Sequence, residues 1–129
     1  TIDINEELEA ITKRYLTKAG IDSQVKQYFG NALEIIPTLN HSFDLVFVDA
    51  DKNNYSNYFD LVIDKVNIGG LILADNVLWS GKVTEEYSSL DEDTKGLVDF
   101  SAKVQQDPRV ENVLLPVRDG IMAIRKCET

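Results

Sequence analysis

The sequence predicts an α/β fold: a mostly parallel sheet with helices on both faces, closed by an antiparallel hairpin. Three observations carry this. Short apolar runs alternate with helix-periodic segments along the chain, as in successive βα units. The runs at 43–49 and 71–75 are apolar almost throughout, as strands buried on both faces of a parallel sheet are. Each then ends in an aspartate, and the carboxyl ends of the strands are where open α/β sheets hold ligands.

Taken in order, Thr1-Ile2-Asp3-Ile4 reads as the end of a strand. Asn5 is a suitable helix N-cap, and Glu6 and Glu7 suit the positive first turn. Leu8, Ile11, Tyr15 and Leu16 recur at helical spacing, and Gly20 can close that helix. Residues 25–29 predict a second strand with Gly30-Asn31 as its exit. Residues 32–39 predict a short helix with Leu33 and Ile36 as its apolar stripe, its length limited by Pro37. After the strand at 43–49, Asn53-Asn54 opens a helix over 55–66, with Tyr58, Leu61, Val62 and Lys65 on one face. Asn67-Ile68-Gly69-Gly70 is turn chemistry ahead of the strand at 71–75. Residues 77–89 carry Trp79, Gly81 and several hydroxyls and predict a long surface loop, a kind more often functional than idle. A helix over 91–106 turns Leu97, Phe100 and Val104 inward and stops before Pro108. Residues 110–117 and 120–126 flank Arg118-Asp119-Gly120 and predict the closing hairpin.

With 129 residues the chain is one domain at most, and its 43% apolar content is ordinary for a globular protein. The net charge of −9 opposes nucleic acid and anionic membrane alike. No apolar run reaches the ~18 residues that a membrane-spanning helix needs, and no signal-like segment opens the chain. Cys127 has no second cysteine to pair with, which agrees with a cytoplasmic location. His41 is the sole histidine and excludes any site built on several.

If the runs ending at Asp49 and Asp75 are neighbouring parallel strands, their ends lie about 5 Å apart. Asp49, Asp75 and Asn76 then gather two carboxylates and an amide oxygen, a hard donor set suited to Mg²⁺ or Ca²⁺. Lys52 would stand beside that cation, where nearby positive charge makes an ammonium readier to release its proton and act as a base. Asp3, at a strand end, could accept hydrogen bonds from a ribose diol. Taken singly, each aspartate would cap a turn and Lys52 would be a solvated charge. The joint pattern is what points to a site.

Three stretches resemble the cation-dependent O-methyltransferases, which include the caffeoyl-CoA and catechol enzymes and bacterial relatives. They are Thr1-Ile2-Asp3-Ile4-Asn5-Glu6-Glu7-Leu8, then Phe43-Asp44-Leu45-Val46-Phe47-Val48-Asp49-Ala50-Asp51-Lys52-Asn53-Asn54-Tyr55, then Gly69-Gly70-Leu71-Ile72-Leu73-Ala74-Asp75-Asn76-Val77-Leu78-Trp79-Ser80-Gly81-Lys82-Val83. The ending Leu114-Leu115-Pro116-Val117-Arg118-Asp119-Gly120-Ile121 is similar to that family's closing hairpin. The resemblance implies a Rossmann-like methyltransferase sheet that binds S-adenosylmethionine. It implies Mg²⁺, or another divalent cation such as Ca²⁺ or Mn²⁺, on Asp49, Asp75 and Asn76. A catechol-like or caffeoyl-like substrate would meet Asp49, Trp79 and Ser80, and Lys52 would serve as the base beside Asp49. By the same carry-over Asp3, Ala32, Asp49 and Asp51 would contact the cofactor. Ser80 stands where plant members often carry a substrate-touching Asn.

The resemblance also implies an incomplete domain, the C-terminal part of such an enzyme. The first, central strand, its helices and the glycine-rich cofactor loop have no counterpart in these residues. The isolated chain is therefore expected to be inactive and to bind cofactor weakly or not at all, and its exposed strand edges favour dimerisation, as a homodimer, or strand exchange. Two other readings stay open. One is a non-catalytic dimeric or binding module. The other is an aspartyl phosphatase opening at Asp49-Ala50-Asp51, although Asn53 stands where that class needs a hydroxyl and Asp75-Asn76 is not an acidic pair.

Overall fold

The computed structural model describes residues 1–127. The chain forms two compact units, Thr1–Asn40 and His41–Thr129.

The first unit holds β1 (Ile2–Asp3), α1 (Glu9–Ala19), β2 (Tyr28–Phe29) and α2 (Ala32–Thr38). β1 and β2 pair in parallel, Ile2 opposite Tyr28 and Asp3 opposite Phe29. The strand expected over 25–29 keeps only two residues, because β1 offers only two to pair with. The Asn5 side chain accepts the Glu7 N–H as expected, but it caps a 3₁₀ turn, Glu6–Leu8, that leads into α1. Asn31 caps α2 by accepting the Leu33 N–H at 3.0 Å and donating to Glu34 at 3.2 Å, a reciprocal arrangement like a capping box.

The second unit holds β3 (Phe43–Val48), α3 (Tyr55–Ile63), β4 (Val66–Asp75), α4 (Glu92–Gln106), β5 (Val110–Leu115) and β6 (Ile121–Lys126). Its sheet runs β3-β4-β6-β5, with β3 and β4 parallel and the two pairings of β6 antiparallel. The α/β sheet and its closing antiparallel hairpin are as the sequence predicts. Among the described residues, however, this unit's sheet has one parallel and two antiparallel pairings instead of being mostly parallel, and it is not covered by helices on both faces.

Two local expectations change. α3 ends at Ile63, and its buried face is Tyr55, Tyr58, Phe59, Val62 and Ile63, not the stripe through Leu61 and Lys65. The helix must stop early because Val66 already pairs with Phe43 in the sheet. Residues 67–70 fall inside β4, yet their turn chemistry still operates. The next pairing after Phe43 with Val66 is Leu45 with Leu71, so four residues of β4 loop out against one of β3. Asn67 ties that bulge down by donating to Asp44 at 2.7 Å.

Buried residues alternate along the strands: Val48 on β3, Ile72 and Ala74 on β4, Met122 and Ile124 on β6 share one face. Phe59, Leu97, Phe100 and Val104 from the helices complete this core. The opposite face is open: Leu45 and Phe47 are 56% and 57% exposed, and Leu71, Val113 and Leu115 are exposed beside them.

Gly96 lies inside α4, where glycine costs about 1 kcal/mol relative to alanine. The structure shows why it is there. A Cβ at this position would sit 2.6 Å from Asn53 Cα and 2.7 Å from the Lys52 carbonyl oxygen, so backbone packs on backbone. Gly96→Ala should therefore destabilise despite the better helix former. Overpacking costs about 1–3 kcal/mol, so a lower urea midpoint is expected, whereas a midpoint at or above that of the unmodified chain would refute the close approach.

Candidate active site

Val48 on β3 lies opposite Ala74 on β4, so Asp49 and Asp75 leave the sheet side by side. The chain after β3 turns through a 3₁₀ segment, Lys52–Asn54, that delivers Lys52 back over the strand ends. Lys52 is only 7% exposed. Its Nζ donates to Asp49 Oδ1 at 3.1 Å, to Asn76 Oδ1 at 2.9 Å and to the Tyr55 hydroxyl at 2.7 Å. An ammonium has three protons, and here each has an oxygen. The same Nζ lies 4.8 Å from the Tyr55 ring centroid and 5.7 Å from that of Trp79. Burying a cation is costly unless it is paired and fully hydrogen-bonded. Those conditions are met, so the solvated charge that Lys52 alone would suggest is replaced by a buried one.

Tyr55 is wholly buried, and its hydroxyl reaches the carbonyl oxygens of Asp75 at 2.9 Å and Val48 at 3.3 Å. Burial, then the negative charges of Asp49 and Asp75, push this hydroxyl well above the ordinary tyrosine range, so it stays protonated. Asp75 Oδ1 accepts the Asn76 N–H at 2.7 Å, and Asn76 takes a left-handed backbone, φ 61°. The Asp49 side chain is 53% exposed, so the cluster opens to solvent on that side.

Asp49, Lys52 and Asn76 are thus brought together at the strand ends, with Asp75 next in the chain to Asn76 and its Oδ1 turned to the Asn76 N–H. Among the described residues no three His, Cys, Asp or Glu side chains converge as a metal cluster, so a divalent ion here would need the Asn76 amide as a ligand. The donor chemistry fits a hard cation, since oxygens of Asp49 and Asn76 already converge on the positive charge of Lys52.

Asp51 has different partners. Tyr58 donates to its Oδ1 and Asn54 to its Oδ2. Burial raises this carboxyl, but the hydrogen bonds from Tyr58 and Asn54 outweigh it and hold it below the usual carboxylate range. Trp79 and Ser80 sit on the 3₁₀ segment Trp79–Thr84, part of what sequence predicts as a loop. Both adopt positive φ, 46° and 55°. The β5–β6 turn holds them there: Val77 N–H donates to Gly120 O at 3.1 Å, Leu78 N–H to Asp119 O at 2.9 Å, and Ser80 N–H to Asp119 Oδ1 at 2.6 Å. Gly120 is needed for this seam, because a Cβ there would lie 2.6 Å from Leu78 Cγ. A cavity of about 230 Å³ next to the seam is lined by Val77, Leu78, Val83, Val98, Ser101, Leu114 and Met122, and by none of the clustered polar residues.

Asp3 and Ala32 belong to the first unit. Asp3 accepts the Asn5 N–H at 2.8 Å at the end of β1, and Ala32 is the first residue of α2.

A family profile described as O-methyltransferase matches residues 1–127. The chain belongs to the O-methyltransferase family. It is 39% identical over 138 residues to a caffeoyl-CoA O-methyltransferase of Mesembryanthemum crystallinum, covering 97% of this chain and 54% of that protein. It is 38% identical over 136 residues to tricin synthase 2 of Oryza sativa subsp. japonica, covering 97% of this chain and 47% of that one. Among solved structures, the SAH-bound methyltransferase of Podospora anserina superposes with a TM-score of 0.87 at 31% identity, over 99% of this chain and 60% of that one. The O-methyltransferase TomG of Streptomyces achromogenes, in complex with SAM, gives 0.91 at 27% identity, over 99% and 61%. This O-methyltransferase family chain therefore has the Rossmann-like methyltransferase fold expected of it, and spans about half the length of the curated relatives it matches.

Tyr55, Asp119 and Gly96 were not singled out as site-building residues by sequence reasoning. Tyr55 stands three residues beyond Lys52, one helical turn away, and a glycine inside a helix signals close packing. Those two signals were legible. Nothing local in the sequence links Asp119 to Ser80.

Proposed function

We propose that the chain is the metal- and base-bearing C-terminal part of a divalent-metal-dependent O-methyltransferase that uses S-adenosylmethionine and methylates a catechol-like or caffeoyl-like hydroxyl. The observation that carries this is the buried Lys52 ammonium held between Asp49, Asn76 and Tyr55 at the ends of two parallel strands. Asp49, Asp75 and Asn76 would hold the metal, Trp79 and Ser80 would border the substrate, and Asp3, Ala32, Asp49 and Asp51 would meet the cofactor. When bound, the metal would acidify a substrate hydroxyl and S-adenosylmethionine would supply the methyl group. As the ammonium, Lys52 would hold the phenolate by its charge, and only as the neutral amine, one proton given up, would it take the hydroxyl proton. Trp79, beside Lys52, would exclude water from that proton's path. Positioning and electrostatics would carry most of the rate.

The reading takes the 129 residues as a single incomplete domain and the parent as a cytoplasmic homodimer. Among the described residues β3 pairs only with β4, and the open sheet face displays Leu45 and Phe47, surfaces that further chain could cover. A phosphatase reading gains nothing from the geometry, since the Tyr58 and Asn54 side chains already engage both oxygens of Asp51.

Manganese titration followed by NMR tests the metal assignment without turnover. The amides of Asp49, Asp75 and Asn76 should broaden first, and Asp75→Asn should weaken binding at least about tenfold, as loss of a charged ligand does. Broadening centred elsewhere would refute it. Calorimetric titration with S-adenosylmethionine should show no micromolar binding, and such binding by these residues alone would overturn the incomplete-domain reading.

A further inference from the structure

We propose that Tyr55 is a positioning residue whose hydroxyl fixes the Lys52 ammonium against the ends of β3 and β4. The inference rests on Lys52 being the group that meets the substrate proton, and it names what places that group. The tyrosine has one proton and gives it to backbone carbonyl oxygens, those of Asp75 at 2.9 Å and Val48 at 3.3 Å. Its oxygen therefore faces Lys52 as an acceptor, and Nζ donates to it at 2.7 Å, the shortest of the three Lys52 hydrogen bonds.

The acceptor cannot drift. Tyr55 is fully buried at the first turn of α3, with its ring edge-on to Phe100 at 5.5 Å and 88°. Through one oxygen the amine is thus referred to the last residue of β3 and the last residue of β4, the strands from which Asp49 and Asn76 follow. The two other bonds of Nζ go to side chains that carry their own rotamer freedom, and Asp49 is half open to solvent. Without the hydroxyl, Lys52 would keep its attraction to Asp49 and swing toward solvent. With it, the amine stays over the strand ends beneath Trp79.

The test compares the unmodified chain with Tyr55→Phe, which keeps the ring and its packing. Each is exposed to a short pulse of a small acetylating ester, and labelling at every lysine is read by mass spectrometry. In the unmodified chain Lys52 should label at least about tenfold more slowly than exposed Lys13 and Lys18, because it reacts only when the cluster opens. In Tyr55→Phe its labelling should rise about three- to tenfold, the factor that one hydrogen bond supplies, with the other lysines unchanged. Lys52 labelling unchanged in a folded Tyr55→Phe, or as fast as Lys13 in the unmodified chain, overturns the proposal. Should Tyr55→Phe not fold, the ¹⁵N ammonium resonance of Lys52 in the unmodified chain decides. A persistent signal with a cross-peak to Tyr55 supports the proposal, and its absence overturns it. None of these readouts uses substrate or cofactor, so they stand apart from any failure of the methyl-transfer reading.

Discussion

On the proposed function, with Lys52 as the base, Lys52→Met should lower methyl transfer by the parent enzyme about 10²–10⁴-fold, the range for losing a positioned general base, while leaving the fold in place. Methionine is unbranched and of similar reach, so it can occupy the buried channel of the lysine stem. Two energetic effects then oppose each other. The substitution breaks three hydrogen bonds, which contribute about 1 kcal/mol each, or more where a charge takes part. It also removes the cost of keeping an ammonium only 7% exposed, and because its partner Asp49 is 53% exposed no buried charge is left unpaired, the situation that makes removing one partner costly. Tyr55 keeps its carbonyl partners in the variant, and Asp49 is exposed enough to be rehydrated. Urea denaturation should therefore show a midpoint near that of the unmodified chain, while kcat collapses. Activity within tenfold of the unmodified enzyme would remove Lys52 from the chemistry, and a lost folding transition would make its role structural.

Much of the strand-end geometry was legible in the residues. Period and composition placed β3 and the second half of β4, because apolar strands that end in charges leave few other arrangements. The register that sets Val48 opposite Ala74 was not legible in that way, since pairing partners are chosen by the whole sheet. Nor was the burial of Lys52. A lysine after two aspartates looks solvated until Tyr55, Asn76 and Trp79 close over it, and those three come from different segments. The bulge in β4 shows how both readings of one stretch can hold: residues 67–70 have turn chemistry, and the strand accommodates it by looping out. The bond between Ser80 and Asp119 spans 39 positions and, like the two others of its seam, starts from a backbone N–H, which carries no local sequence signal.

Phe100→Ala is expected to have the largest effect on stability. The ring is 2% exposed and lies between two others, Tyr55 at 5.5 Å and Phe59 at 6.3 Å, both edge-on. Truncating a buried phenylalanine costs about 3–5 kcal/mol, through lost burial and the cavity left behind. A whole domain is stable by only about 5–15 kcal/mol, and here one face of the sheet is left open. Urea denaturation should show the cooperative transition displaced to much lower denaturant or abolished, and a midpoint shift worth under 1 kcal/mol would contradict the packing described. Phe100→Leu retains more of the volume and should cost less, roughly 1–2 kcal/mol, so this milder variant can report on the site while the fold stands. With the edge of Phe100 gone, the Tyr55 ring can rock, and its hydroxyl no longer meets Lys52 at one fixed point. Labelling of Lys52 should therefore rise in Phe100→Leu even though no atom of residue 100 is among the hydrogen-bond partners of Lys52. Unchanged labelling in that variant would mean that the hydroxyl is held by its carbonyl partners alone. The order of the two effects separates core from site: Phe100 sets whether the strand ends stay together, and Tyr55 sets where the amine sits between them.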